Sequence, residues 1–243
     1  MIKIINKVKY KVLIILNKLI PRSIYYIHIG KTGGTWYREM IWKTCIPFLY
    51  KVVIGGHGSK FQDIAFKYKI IIIPIRDPYS RIKSGFNSRL RQGAPAYNNP
   101  WSNEEVAFFA KYPSFEVFVS SILQDKDGEG GYKTFKKINI HAKYGYEYYF
   151  SKLDLREAFK NKDIFIIRQE SLGEDFDKII KHFSCKIFSK SKEFKRILHS
   201  SNDKKIETLP NKKIVEFKNK YLSNEYKYFK IISNYKPPNE NKF

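Results

Sequence analysis

The 243-residue chain has few cysteines, few acidic residues and no long apolar run. Its two cysteines, Cys45 and Cys185, lie far apart, and neither belongs to a Cys-x-x-Cys pair. That spacing offers no pattern for a disulfide framework or a thiolate metal site, and it fits a reducing, cytoplasmic compartment. The apolar stretch from Val12 to Leu16 is too short to span a bilayer, and Lys18 interrupts its extension. No small-residue cleavage site follows it, which argues against a secretory signal. Ile5, Val8, Val12, Ile15, Leu16 and Leu19 fall at helical spacing, with Lys3, Lys7, Lys11 and Lys18 on another face. Residues 1–22 are therefore expected to form a basic amphipathic helix. Such a helix either covers the core of its own domain or, through residues 1–20, lies on the cytoplasmic face of an anionic membrane.

The shortage of acid leaves 23 Asp and Glu against 46 Lys and Arg, a net charge of +23. Such an excess biases the chain toward anionic partners: nucleotides, nucleic acid, acidic glycans or a membrane surface. A general richness in lysine, isoleucine and asparagine yields the same excess without any partner. What is present in quantity is apolar: 43% of residues are hydrophobic, enough for a sizeable core.

Short apolar runs alternate with helical patterns along the chain. Ser23–Ile29, Lys51–Ile54, Lys69–Ile75 and Asp163–Arg168 read as strands, and the unbroken Ile70-Ile71-Ile72-Ile73 suits a strand buried on both faces. Thr35–Cys45 and Ser80–Arg91 read as helices. Ser171-Leu-Gly-Glu174 has capping-box spacing and opens a helix through His182. The pattern predicts a single α/β domain over residues 23–235, with a parallel sheet flanked by helices and a lysine-rich helical C-terminus. Residues 92–146 are expected as an irregular insertion. It holds one helix near Ser114–Leu123 and a mobile glycine-rich loop at Asp125–Gly131. Residues 236–243 are expected to fray.

The stretch Tyr26-Ile-His-Ile-Gly-Lys-Thr-Gly-Gly-Thr-Trp36 leaves a strand and enters a helix. Backbone N–H groups at such a helix start favour an anion, glycines let it approach closely, and Lys31 adds a charge. A nucleoside-triphosphatase loop requires Gly-x-x-x-x-Gly-Lys-[Ser/Thr]. Gly30-Lys31-Thr32 supplies the end of that pattern, but Tyr25 stands where its first glycine belongs. The loop is thus a short cradle with its lysine at the entrance. A second segment, Arg76-Asp-Pro-Tyr-Ser-Arg-Ile-Lys-Ser84, begins just past the isoleucine strand. Ligands of open parallel sheets bind beyond the carboxyl ends of the strands, so Arg76 and Ser84 can clamp a second phosphate beside the cradle.

These two segments resemble the signature motifs of sulfotransferases that use 3'-phosphoadenosine 5'-phosphosulfate (PAPS). His28-Ile-Gly-Lys-Thr-Gly-Gly-Thr35 is similar to the "HIPKTGGT" phrase of carbohydrate sulfotransferases, with Gly30 in place of proline. Trp36 and Glu39 resemble the small-molecule branch. The Arg76 to Ser84 spacing matches the 3'-phosphate motif, and Ile167-Arg-Gln-Glu-Ser-Leu…Asp175-Phe-Asp resembles a late strand–helix segment. The resemblance covers roughly Tyr25 to Phe183, with gaps in the insertion.

The resemblance implies a P-loop-like α/β fold that binds PAPS as co-substrate, with no metal. Lys31 would contact the oxygen bridging sulfur and phosphorus. The backbone from Thr32 through Gly33 and Gly34 to Thr35, with the threonine hydroxyls, would hold the 5'-phosphate. Arg76 and Ser84 would hold the 3'-phosphate, and Trp36 would either stack on adenine or sit in the core. His57, in Ile54-Gly-Gly-His-Gly-Ser59, follows the second strand and is the candidate base that takes the acceptor's proton; Glu39 is the alternative. The expected acceptor is a hydroxyl on a carbohydrate, such as a polysaccharide or glycolipid, and no nucleic acid is expected as partner.

Other residues carry weaker signals. His28 reads as a core histidine, and His141, His182 and His199 have no motif around them. Arg81 and Lys83 face either a ligand or solvent. The tyrosines of Tyr144–Tyr149 stack sugars or pack the insertion. Ser200-Ser-Asn202 lies where the family has a late cofactor-contacting loop. Two other functions stay open at this stage: a nucleoside or sugar kinase with a phosphate loop, and a non-catalytic binder of polyanions or membranes.

Overall fold

The computed structural model describes residues 19–94, 98–124, 128–150, 154–185, 187 and 209–235. Four strands form one parallel sheet: β1 (Ser23–Tyr26), β2 (Lys51–Ile54), β3 (Ile70–Ile75) and β4 (Asp163–Arg168), in the order β2-β1-β3-β4. β2 and β4 have the ends expected from sequence. β1 stops at Tyr26 rather than Ile29, although Ile27 N–H still donates to the Ile72 carbonyl at 3.0 Å.

The helices follow in chain order. Around the first three strands lie α1 (Gly34–Ile41), α2 (Ile46–Leu49), α3 (Phe61–Ala65) and α4 (Pro78–Leu90). The insertion holds α5 (Asn103–Lys111), α6 (Phe115–Gln124), α7 (Gly128–Ile138) and α8 (Ile140–Lys143). Next come α9 (Tyr146–Phe150), α10 (Leu155–Phe159), α11 (Leu172–His182), α12 (Asn211–Tyr221) and α13 (Ser223–Ser233).

Successive residues of a strand point to opposite faces, and β1 shows this. Ile24 and Tyr26 pack with Ile72 and Ile167 under α1 and α11. Tyr25 packs with Ile71, Ile73 and Ile75 under α3, α9, α10 and α13. Both faces are covered, which is why these strands read as continuous apolar runs. The α/β class with a flanked parallel sheet is therefore the observed one.

The insertion differs from its expectation. It is helical through α5–α8, and Gly128–Gly131 opens α7; residues 125–127 lie outside the described residues. The cause is a third apolar cluster centred on Phe86 of α4. The rings of Phe108, Phe109, Phe115, Phe118 and Phe135 all lie within 6.2 Å of its ring. Burying such rings outweighs the glycine content of the segment. A capping box also starts α5: Glu105 N–H donates to Ser102 Oγ at 3.3 Å, and Ser102 N–H donates to Glu105 Oε2 at 2.9 Å.

Two further expectations fail. The Ser171–Glu174 capping box does not form. Ser171 Oγ donates instead to Asp175 Oδ2 at 3.0 Å, and that carboxylate also accepts Arg168 N–H at 2.9 Å, anchoring α11 to β4. Cys45 and Cys185 are joined in a disulfide, with Cα atoms 5.5 Å apart across a sequence separation of 140. The pair ties the start of α2 to the segment after α11, where Thr44 also pairs with Ile187. This removes the argument from unpaired cysteines for a reducing compartment. The expectations for the N-terminal helix (residues 1–18), for His199 and Ser200-Ser-Asn202, and for the tail (236–243) fall outside the described residues. Among the described residues no single helix is long and apolar enough to cross a membrane.

Candidate functional site

The strand order places a switch point between β1 and β3. From β1 the chain crosses to β2 on one side, and β3 leads on toward β4 on the other. Open parallel sheets hold ligands outside the carboxyl ends of their strands at such a point. Lys31 follows β1, His57 follows β2 and Arg76 follows β3, so all three belong to this edge.

Beyond β1 the chain turns at Lys31 (φ 67°) and Gly33 (φ 92°). The left-handed conformation suits glycine but costs a residue such as lysine about 1–2 kcal/mol. Gly33 is the N-cap of α1 without any side-chain cap, and its carbonyl takes only Tyr37 N–H, at 3.0 Å. The first N–H groups of a helix have no acceptor within it, and no side chain of the Gly33 cap supplies one. A side chain at Gly33 would meet Gln169 Oε1 at 2.5 Å.

Arg76 closes the other side. Its Nη1 donates to the Lys31 carbonyl at 3.3 Å. Its backbone is pinned by the buried Tyr146, whose hydroxyl accepts Arg76 N–H and donates to the Arg76 carbonyl, each at 2.7 Å. Asp77 caps α4 through Ser80 N–H at 2.8 Å, and Asp77 N–H donates to Glu170 Oε1 at 2.9 Å. Ser84 lies half-buried within α4. Lys31 is also half-buried. That burial, followed by the positive charges of Arg91 and Arg76, pulls its ammonium pKa down to about 8. A cation held among other cations at a helix start fits an oxyanion of high charge density.

His57 sits half-buried above β2. Its carbonyl accepts the Tyr149 hydroxyl at 2.7 Å, and the same hydroxyl lies 3.2 Å from the His28 carbonyl. Side chains added at Gly56 would meet nothing, and at Gly58 only the Tyr148 hydroxyl at 3.8 Å, so the approach to His57 is open. Its ring lies 4.0 Å from that of His28 and 5.1 Å from that of His141. Burial lowers the His57 pKa, partly offset by a hydrogen bond with the His28 backbone; Lys31 and Arg38 lower it further. Burial and then His57 pull His28 to about 4, and burial and then Lys31 pull His141 to about 2. Each of these shifts favours the neutral imidazole at pH 7. Among the described residues no cluster of three His, Cys, Asp or Glu has metal-holding geometry.

Several expected roles change. Thr32 is fully buried, and its hydroxyl donates to the Ile29 carbonyl at 2.7 Å, so that hydroxyl is engaged within the loop. Thr35 is exposed at the start of α1. Trp36 takes the core alternative: it is 5% exposed and meets Phe176 edge-on at 5.2 Å, so its ring is not offered to a ligand. His28 is not a purely core histidine, since its ring meets that of His57 at a tilt of 32°. Glu39 is exposed on α1. Arg81 is a buried structural residue, paired with Glu225 at 3.0 Å and bonded to the His141 carbonyl at 2.6 Å. Tyr146 and Tyr149 are buried hydrogen-bonding struts. Tyr144 and Tyr148 lie half-buried, their ring centroids 4.3 Å apart, and Tyr148 Oη donates to the Gly58 carbonyl at 3.0 Å. Arg91, His28 and His141 were missed as members of the site; only His28, inside the loop phrase itself, carried a usable signal. Comparison with protein-family models, with curated proteins and with solved structures finds no match for this chain.

Proposed function

We propose that this protein is a PAPS-dependent sulfotransferase acting on an acceptor hydroxyl, with a glycan or glycolipid as the preferred class. The observation that carries the reading is the meeting of Lys31 and Arg76 at one sheet edge, 3.3 Å apart through Arg76 Nη1 and the Lys31 carbonyl, with His57 beyond the neighbouring strand. The resemblance of the two segments to sulfotransferase motifs names the donor.

PAPS bound there supplies a sulfuryl group on a phosphate leaving group. The bond from acceptor oxygen to sulfur forms as the sulfur–oxygen bond to phosphate breaks. Lys31, with the N–H groups at the start of α1, stabilises the charge gathering on the departing phosphate oxygen. Arg76 and Ser84 hold the 3'-phosphate. Neutral His57 takes the acceptor's proton, a role suited to an imidazole whose pKa lies below its ordinary value. The open space over Gly56 and Gly58 suits a bulky acceptor.

The donor reading is tested by thermal shift. 3'-Phosphoadenosine 5'-phosphate (PAP) is expected to raise the melting temperature clearly more than ADP, because a ligand that binds only the native state stabilises it. Arg76→Ala should erase that difference. A larger shift with ATP and magnesium than with PAP would replace the sulfotransferase by a kinase.

A further inference from the structure

We propose that the amino edge of the sheet, opposite the candidate site, is a docking surface for an anionic lipid bilayer. The proposal does not rest on the sulfotransferase reading, because Lys31, His57 and Arg76 all follow strands and belong to the other edge.

The four strands run the same way, so the segments that lead into them meet at one edge. Residues 19–22 lead into β1, 42–51 carry the chain from α1 through α2 into β2, and 66–69 lead into β3. Neighbouring strands lie about 5 Å apart, so these segments are close neighbours. They are also held in place. Lys51 N–H donates to the Arg22 carbonyl at 2.7 Å. The turn at Phe66 is tied to the start of β4: Lys162 Nζ donates to the Ala65 carbonyl and, at 3.3 Å, to the Tyr68 carbonyl, while Asp163 N–H donates to the Lys69 carbonyl at 3.0 Å.

This edge carries apolar side chains that the fold leaves in water. The two most exposed large apolar residues among the described ones are Phe66, at 94%, and Leu19, at 78%; Leu49 is half exposed. Each stands on a different one of the three segments. The charged residues of the same segments are Arg22, Lys43, Lys51, Lys67 and Lys69, with no Asp or Glu. A protein partner suits this mixture poorly, since lysine is depleted from the centres of protein interfaces and Phe66 is followed by Lys67 and Lys69. A polyanion in water has no use for the apolar tips. An anionic bilayer takes both: lysines meet the headgroups and apolar side chains sink below them.

The chain outside the described residues agrees in character and in where it ends. Residues 1–18 hold lysines and no acid, and their apolar positions at helical spacing lead into Leu19 on this edge. The six residues of β3 set the two edges about 20 Å apart, so a molecule docked this way turns the candidate site away from the lipid.

Cosedimentation of the full chain with vesicles tests this, using phosphatidylcholine alone and phosphatidylcholine mixed with phosphatidylglycerol. Wild type should bind the anionic vesicles at least about tenfold more tightly than the neutral ones, and high salt should weaken that binding. Phe66→Ser should weaken it about tenfold, the scale of burying one large apolar side chain, and Leu19→Ser should act in the same direction. Lys67→Glu/Lys69→Glu should weaken it about tenfold or more. Val215→Ser, at an exposed apolar position on α12, should change nothing.

No preference for anionic vesicles in wild type overturns the proposal. Wild-type binding that ignores the changes at Phe66, Leu19 and the two lysines overturns it too, and assigns the binding to residues 1–18. Loss with the lysine pair but not with Phe66→Ser or Leu19→Ser makes the edge a general polyanion contact and overturns the lipid assignment. A dimer in light scattering that Phe66→Ser splits, without lipid binding by wild type, makes the edge an interface between copies. Far-UV circular dichroism checks each fold; if Phe66→Ser does not fold, Leu19→Ser decides in its place.

Discussion

Helix α4 carries two buried arginines, Arg81 and Arg89, while the sheet edge at its start gathers Lys31 and Arg76, with Arg91 acting from the helix's far end. The two sets are compensated differently. Arg89 makes a two-pronged pair with Glu105, at 2.6 Å and 2.7 Å, and Arg81 pairs with Glu225 at 3.0 Å. Each carboxylate has a second use: Glu105 completes the cap of α5, and Glu225 Oε2 accepts Tyr146 N–H at 2.8 Å. Among the described residues Lys31 has no such pairing. Its strongest charged neighbours are Arg91 and Arg76, and they lower its pKa. Glu170 contributes an attractive field at Arg76, but its Oε1 is bonded to Asp77 N–H. Among the described residues the arginines buried inside the fold come with carboxylates, and the convergence of Lys31 with Arg76 is what the proposed anion site rests on.

Breaking a compensated pair should give the largest effect. Glu105→Ala leaves Arg89 buried without its partner and removes the cap of α5. A loss of about 3–5 kcal/mol of stability is expected, read as a lower urea midpoint. PAP affinity of the fraction still folded should be unchanged. A small stability loss would erase the distinction between the two sets.

Lys31→Met should do the opposite. Sulfate transfer is expected to fall about 10²–10³-fold, the scale of losing one group that stabilises transition-state charge. Stability without ligand should not fall. The folded pKa of Lys31, about 8, lies below its unfolded value of 10.5, so the charged side chain opposes folding. That cost is fully present below pH 8 and fades as pH rises toward 10.5. The advantage of Lys31→Met over wild type in urea should therefore shrink over the same window. A constant difference across it would mean that Lys31 keeps an ordinary pKa.

His57→Ala should lower transfer about 10²–10⁴-fold with PAP affinity intact. The wild-type rate should fall only below pH 6.5, because the neutral ring is the working form and its pKa is depressed from that value. An active His57→Ala together with an inactive Glu39→Gln would move the base to Glu39. The smallest effect is expected at Tyr149→Phe, which removes the hydroxyl that holds the His57 and His28 carbonyls. Transfer should fall about tenfold, the value of one or two neutral hydrogen bonds. PAP affinity should not change, and the acid limb of the pH profile should move, which a merely structural loss would not produce.

The sheet was legible because its central strands are buried on both faces: Ile24–Tyr26 of β1 and Ile71–Ile75 of β3 are buried without a break. The edge was half legible. Lys31, Arg76 and His57 each follow a strand, and a parallel sheet must bring such residues to one end. His141 was not legible, because nothing in a lone histidine late in the insertion says which loop it will meet. Gly30 stands where the "HIPKTGGT" phrase has proline, and the His141 ring packed against it leaves no room for a Cβ, a contact no spacing records. The disulfide was hidden for the same reason, since 140 residues separate its cysteines and spacing carries no record of their meeting. The glycines of the insertion mask its helices, which form because Phe108, Phe109, Phe115, Phe118 and Phe135 bury one common face. The Ser102-x-x-Glu105 cap was there to be read and would have opened α5.

Transfer of labelled sulfate from PAPS to a panel of glycans, glycolipids and phenols tests the central claim most directly, with wild type, Lys31→Met and His57→Ala run side by side. The account predicts label on at least one hydroxyl acceptor with wild type, highest among glycans, and loss of about 10²-fold or more in both variants. No transfer to any acceptor by protein that binds PAP, or transfer undiminished in both variants, would contradict it.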